Sequence, residues 1–328
     1  MKFRIFFSSF FVVCNISLMY SQTNTKLSEV PVIETKFLIP TKPSATAKHL
    51  PMLQKQLKIP VGSLPNPIGV SLIYNYVEET YRIKGFKGEF GDKISGLSSI
   101  LGRGQREWLL SAGTVHTKTH TVGAKVDIFL LPFLQLFALG AYLKVEQTTD
   151  VGDATVPFVK PINIPTIPGI IQGGTWNSMT IPVGKLSNSL DGFVTLAGLN
   201  LLLGYKGFFF SFMMSGGYVR LDDRHNNVIG FVEKPIMYFA PRIGYSYNGV
   251  FTAHAGVQRV EMFDATKGTD LTKITGGLVK TYLVDLVKFP VNFVVGMQFM
   301  FMRELGLSIE YVGSPDGHGV NLETVFRF

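Results

Sequence analysis

The sequence predicts an all-β fold, a transmembrane antiparallel up-and-down β-barrel of about ten strands, with a range of about eight to twelve. Three observations carry that prediction. From Ile68 onward, stretches alternating apolar and polar residues recur at the period of a strand. They are separated in turn by very short turns and by longer polar loops, the connection pattern of a barrel that crosses a membrane. The composition is 46% hydrophobic and only 16% charged, with 27 Phe and 34 Gly, against about 25% charged in ordinary globular domains.

The first element is a leader. Lys2 and Arg4 precede an apolar core, Ile5 to Tyr20, and small and polar residues follow at Ser21 to Thr23. This order predicts a secretory signal over residues 1–22, cleaved near Ser21 or Gln22; an uncleaved anchor is the alternative. Cys14 is the single cysteine and lies inside that core. Val13 before it is not small, which argues against a lipoprotein. The processed chain then has no cysteine, so disulfides and cysteine metal sites are excluded. Residues 23–66 are polar and punctuated by Pro31, Pro40, Pro43, Pro51, Pro60 and Pro65, with one short helix expected in "AKHLPMLQKQLKI". They read as a periplasmic or plug segment ahead of a barrel over residues 67–328.

The strands follow in order: Ile68–Arg82, Thr114–Leu130, Gln135–Gln147, Gly192–Tyr205, Phe208–Leu221, Pro235–Tyr247, Val250–Phe263, Val291–Phe301, Leu305–Val312 and Val320–Phe328. "LPFL", "KG", "NG" and "MRE" supply the short turns, all on the side of the C-terminus. Thr148–Asp191 is expected to be a long proline-rich loop, acting as a surface cap or contact loop. Leu278–Phe289 is apolar enough to hide a further strand.

The late strands show the alternation most clearly. Val291, Phe293, Val295, Met297, Phe299 and Phe301 share one face, against Asn292, Val294, Gly296, Gln298 and Met300. A soluble sandwich alternates too, but a barrel in lipid puts the polar and small residues inside. A helical membrane protein is the rival reading. Gly192–Val219 is long enough to span, yet "GYKG" at its centre is turn chemistry.

The run ending at Phe328 resembles the terminal strand of Gram-negative outer-membrane β-barrels, with Phe328, Phe326, Leu322 and Val320 matching the pattern. In that group a terminal aromatic on an alternating strand is a signal read by the barrel-assembly machinery. The resemblance implies that Phe328 and Phe326 form such a signal. "VGAKVDIFLLPFLQLFALGAYLKVE", "PRIGYSY", "VNFVVGMQFMF" and the aromatic-basic-aromatic end are similar to a poorly characterised group of outer-membrane proteins, over Ile68 to Phe328. This implies a barrel in the outer membrane of a Gram-negative bacterium, with outer-membrane lipid and the assembly machinery as partners. It implies no activity.

Candidate chemistry is sparse. The formal net charge is +8, but the basic residues form no block interleaved with aromatics, so no nucleic-acid partner is expected. No P-loop or dinucleotide fingerprint is present, and no cofactor or metal is expected. His116 and His120 are four apart on a strand, too far to share one metal at strand rise. His254 is expected to point inward, with Ser211, Ser215 and Ser308 on inward positions of other strands. Lys125, Asp127, Lys144, Glu146, Arg242, Glu310, Glu323 and Arg327 are expected to face inward with near-balanced charge, and with His254 and Gln298 to line the interior. Such a set is either an ion-pair plug or a narrow polar conduit. The functional expectation is therefore non-enzymatic: a monomeric barrel serving as a narrow channel for small solutes or a surface-contact barrel. A barrel-embedded lipid hydrolase with His254 as base and a purely structural barrel are the alternatives.

Overall fold

The computed structural model of the chain describes residues 39, 41–57, 59, 64–90, 106–166, 168, 173–205, 207–224, 228–263, 266–267 and 279–328. The expected leader lies outside them. Ten long strands form a ring: β1 Ile68–Phe90, β2 Thr114–Leu131, β3 Leu134–Ile164, β4 Gly174–Tyr205, β5 Phe208–Asp223, β6 Val228–Tyr247, β7 Phe251–Met262, β8 Asn292–Met300, β9 Leu305–Ser314 and β10 Gly317–Arg327. Each pairs antiparallel with its neighbours in chain order. The ring closes where β1 meets β10, in unbroken register from Gly69↔Arg327 to Glu79↔Gly317.

Turn chemistry fixes the hairpins. Asn248 and Gly249 both have positive φ, +52° and +71°, the type I′ geometry that matches strand twist. The Val250 amide donates to the Tyr247 carbonyl at 3.1 Å and closes that turn. The hidden strand expected near Leu278 is Val279–Val287. It lies outside the ring and pairs with the outer part of β1, Arg82 to Phe90.

The proline-rich stretch corrects the sequence reading. Thr148–Asp191 is largely a hairpin, because β3 and β4 continue to pair out to Ile164↔Gly174. Proline is tolerated in strands at irregularities, and the register shifts between Pro157 and Ile162, around Pro161. Pro241 leaves a similar mark inside the ring: the β6–β7 ladder runs to Phe239↔Arg259 and resumes at Arg242↔Gly256. Proline has no N–H to donate there.

Alternation separates two faces. Outward-facing side chains include Leu72, Val122, Val126, Leu136, Leu203, Ile243, Phe293, Val295, Met297 and Ile309, all exposed. Tyr205, Phe208, Tyr245, Tyr247, Phe326 and Phe328 edge this apolar belt at the short-turn end, and Tyr74, Tyr142, Phe193, Tyr218 and Tyr311 edge it at the other. Along β4 the belt runs from Phe193 to Tyr205; at about 3.3 Å per residue and a tilt near 40° it is roughly 30 Å tall, enough to cross a bilayer. Gly192–Val219, the stretch long enough for a helical span, is a hairpin of this wall. No helix among the described residues is long and apolar enough to cross a membrane. The architecture is a transmembrane β-barrel.

Inside, the two ends differ. Near the long-strand end, Ala141, Val145, Leu190, Val194, Val219, Leu221, Phe231 and Ile236 form a buried apolar cluster. Near the short-turn end the interior is polar and charged. The N-terminal segment crosses that end. The Ile39 amide donates to the Phe301 carbonyl at 3.1 Å, and the Met52 amide donates to the Leu130 carbonyl at 2.9 Å. Thr41 Oγ1 donates to Glu304 at 2.8 Å, and Arg303 Nε donates to the Thr41 carbonyl at 2.9 Å. Among the described residues its helical content is one 3₁₀ turn, Thr46–Lys48.

Candidate functional site

Inward-facing residues of β1, β2 and β6 to β10 meet in the lower interior because strand side chains alternate and the ring brings distant strands together. Three ion pairs result. Lys125 Nζ lies 2.5 Å from Glu323, Arg327 lies 2.8 Å from Asp127, and Arg242 lies 2.9 Å from Glu310. Each joins strands far apart in sequence, and each neutralises a charge that would be costly if buried alone.

Supporting hydrogen bonds tie these pairs together. Ser71 donates to Glu323 at 2.7 Å. Glu310 holds His254 Nε2 at 2.8 Å and accepts from Asn321 at 3.3 Å. Tyr238 donates to Gln258 at 3.0 Å. A relay runs from the Asp127–Arg327 pair into the barrel: Gln135 donates to Asp127 at 2.7 Å, and Asn200 donates to Gln135 at 3.2 Å. Gly69 makes room for Asp127, since a Cβ at that position would lie 2.6 Å from Asp127 Oδ2.

These groups border an interior cavity of about 530 Å³. Lys125, Arg242, His254, Gln298, Glu310, Glu323 and Arg327 line it, as do Phe137, Leu139, Leu196 and Met213 on the opposing apolar wall. Pro51, Leu64 and Pro65 of the N-terminal segment complete its lining. Asp127 lies buried beside Arg327.

Two expected interior residues face outward. Lys144 and Glu146 pair with each other at 3.3 Å, with side chains 55% and 58% exposed. On β3 the inward positions are Gln135, Phe137, Leu139, Ala141, Leu143 and Val145, so the wall here is apolar inside. Assigning polar residues to the interior fails where the barrel is filled by its own hydrophobic side chains. Phe326 and Phe328 also face outward, on the belt. The residues missed by the sequence reading include Ser71, Gln135, Asn200 and Tyr238. The signal for Asn200 was present, as a lone amide between leucines at inward parity.

His116, His120 and His254 make separate contacts. His116 is bonded by Thr80 at 3.0 Å and His120 by Tyr74 at 3.1 Å, each on the outer face. His254 Nε2 is partnered by the Glu310 carboxylate rather than by a serine hydroxyl.

No protein-family model matches the chain, and no curated protein matches it. Solved barrels do. The translocator domain of the autotransporter NalP from Neisseria meningitidis is 12% identical, with 87% of this chain and 97% of that one covered at a TM-score of 0.35. The Ralstonia pickettii toluene transporter TbuX is 10% identical, with 93% and 98% covered at 0.29. The monoaromatic hydrocarbon channel CymD is 9% identical, with 92% and 98% covered at 0.29. At such scores the fold assignment rests on the closed ring itself.

Proposed function

We propose that the protein is a non-enzymatic outer-membrane β-barrel of a Gram-negative bacterium that admits small solutes through a narrow, normally closed interior. The observation that carries this reading is the cavity inside the ring, with ion-paired side chains on one wall and apolar ones on the other. The apolar cluster narrows it toward the long strands, and the N-terminal segment borders it at the short-turn end. The filled interior is what a ten-stranded ring favours, since barrels near eight strands fill with side chains and those of about sixteen leave a channel.

In this reading residues 1–22 are removed on export, Phe326 and Phe328 serve as the assembly signal, and the barrel works as a monomer. The test is single-channel recording of the refolded processed chain, using material whose gel migration changes on boiling. Small, infrequent openings are expected, with solute uptake into liposomes. Folded protein that neither conducts nor admits solute would instead identify a structural barrel.

A second reading is surface contact. The β3–β4 extension carries exposed Val159, Trp176 and Met179 beyond the belt. Loss of cell adhesion, with permeability intact, on deleting residues 157–184 would favour it.

A further inference from the structure

Three buried polar atoms on residues that line the cavity have no hydrogen-bond partner among the described residues: Asn200 Oδ1, Ser215 Oγ and Arg242 Nε. Their residues are 8%, 3% and 8% exposed. Unpartnered buried polar groups are uncommon and costly, and each calls for an explanation.

The orientation of the Asn200 amide follows from the relay. Asp127 is held by Arg327 and accepts from Gln135 Nε2. Gln135 therefore turns its Oε1 toward Asn200, which answers with Nδ2 at 3.2 Å. The remaining Asn200 oxygen is left as an unfilled acceptor. Arg242 similarly spends its Nη2 on Glu310 and Tyr238, leaving Nε–H as a spare donor.

Register places Asn200 and Ser215 close together. Asn200 pairs with Met213 and Ser215 with Gly198, on adjacent strands and neighbouring inward rows. Their Cα atoms are thus about 8 Å apart by strand spacing and rise. Arg242 sits on β6 four residues along from Tyr238, the partner of Ser215, and its side chain reaches back toward Tyr238, with Nη2 3.4 Å from the Tyr238 hydroxyl.

The charge inventory excludes an ionic occupant. Lys125, Arg242 and Arg327 each already face a carboxylate at 2.9 Å or closer. A carboxylate or ammonium ligand would add an uncompensated charge to this balanced set. A hydroxyl fits, because it donates to Asn200 and accepts from Ser215 or Arg242. Phe137, Leu139, Leu196 and Met213 supply the apolar wall. The volume of about 530 Å³ lies in the range of small-molecule sites.

We propose that the barrel interior is a binding site for a small, neutral, hydroxyl-bearing amphipathic molecule. Its hydroxyl sits between Asn200 and Ser215, with Arg242 at its flank and its hydrocarbon part against Phe137, Leu139 and Met213. The site rests on the reading of the protein as a solute-handling barrel. Equilibrium binding separates the two: a barrel that conducts but binds nothing saturably overturns the site and leaves the channel standing.

The experiment is calorimetric titration of 1-octanol, octane and octanoate into the processed chain in nanodiscs, with empty nanodiscs subtracted. Saturable one-to-one binding of octanol is expected, at least tenfold tighter than that of octane or octanoate. Asn200→Leu and Ser215→Ala should each weaken octanol binding about tenfold while boiling-dependent gel migration is retained. If those variants do not fold, the ranking of the three probes on the unaltered chain decides. Partitioning without saturation, octanoate or octane binding as tightly as octanol, or folded variants that bind octanol normally would each overturn the proposal.

Discussion

Asp127 belongs to the most deeply buried of the three interior ion pairs, with a side chain 0% exposed beside Arg327 at 2.8 Å. It also orders Gln135, and through it Asn200. Asp127→Ala leaves the Arg327 charge buried without its carboxylate, a change that costs about 3–5 kcal/mol. The expected outcome is a markedly lower unfolding midpoint on denaturant titration in micelles. The double change Asp127→Ala with Arg327→Leu should recover much of the loss, because both charges are then gone. Equal losses in the single and double variants would show that the pair contributes packing rather than compensation. At this scale the sequence was informative for Lys125, Asp127, Arg242, His254, Glu310, Glu323 and Arg327, all of which fall on inward positions. It misplaced Lys144 and Glu146 because inward parity on β3 is set by pairing with β2, which one strand read alone does not carry.

At the scale of elements, the ten ring strands were legible because each has its own alternation and its own turn residues. The strand lengths were less so. β1 runs to Phe90, with partners in Val279–Val287, and the β3–β4 pair runs on through prolines. Long-range partners override local propensity in both cases. The N-terminal segment was legible only as non-strand. Among its contacts, Thr41 and Ile39 meet the β8–β9 turn, a meeting no local pattern announces. Those contacts make a prediction. Thr41→Val combined with Glu304→Gln removes the charge-assisted bond that ties the segment to the turn. We expect more frequent openings in single-channel records, with unchanged barrel stability, since the ring pairing is untouched. Unaltered open probability in folded protein would show that the segment does not control passage.

For the whole molecule, the apolar belt, the aromatic edges and the interior charges state one arrangement: hydrocarbon outside and paired charge inside, the reverse of a soluble sandwich. The same wall serves both environments because the strand period is two. A substitution that leaves the ring intact but changes the outer surface tests this directly. Val295 lies on the outer face of β8, 60% exposed, between Phe293 and Met297 in the middle of the belt. In a bilayer, arginine near the midplane of a barrel costs about 2–4 kcal/mol, and near an interface about 0–1. Val295→Arg should therefore destabilise the barrel in liposomes by about 3 kcal/mol. His120→Arg, on the outer face near the tyrosines that edge the belt, should cost less than about 1 kcal/mol. Unfolding titrations from liposomes measure both. A large cost at position 295 with a small one at position 120 locates the bilayer around the belt. Equal and small costs would mean that the outer face meets water or protein, and the channel reading would lose its membrane.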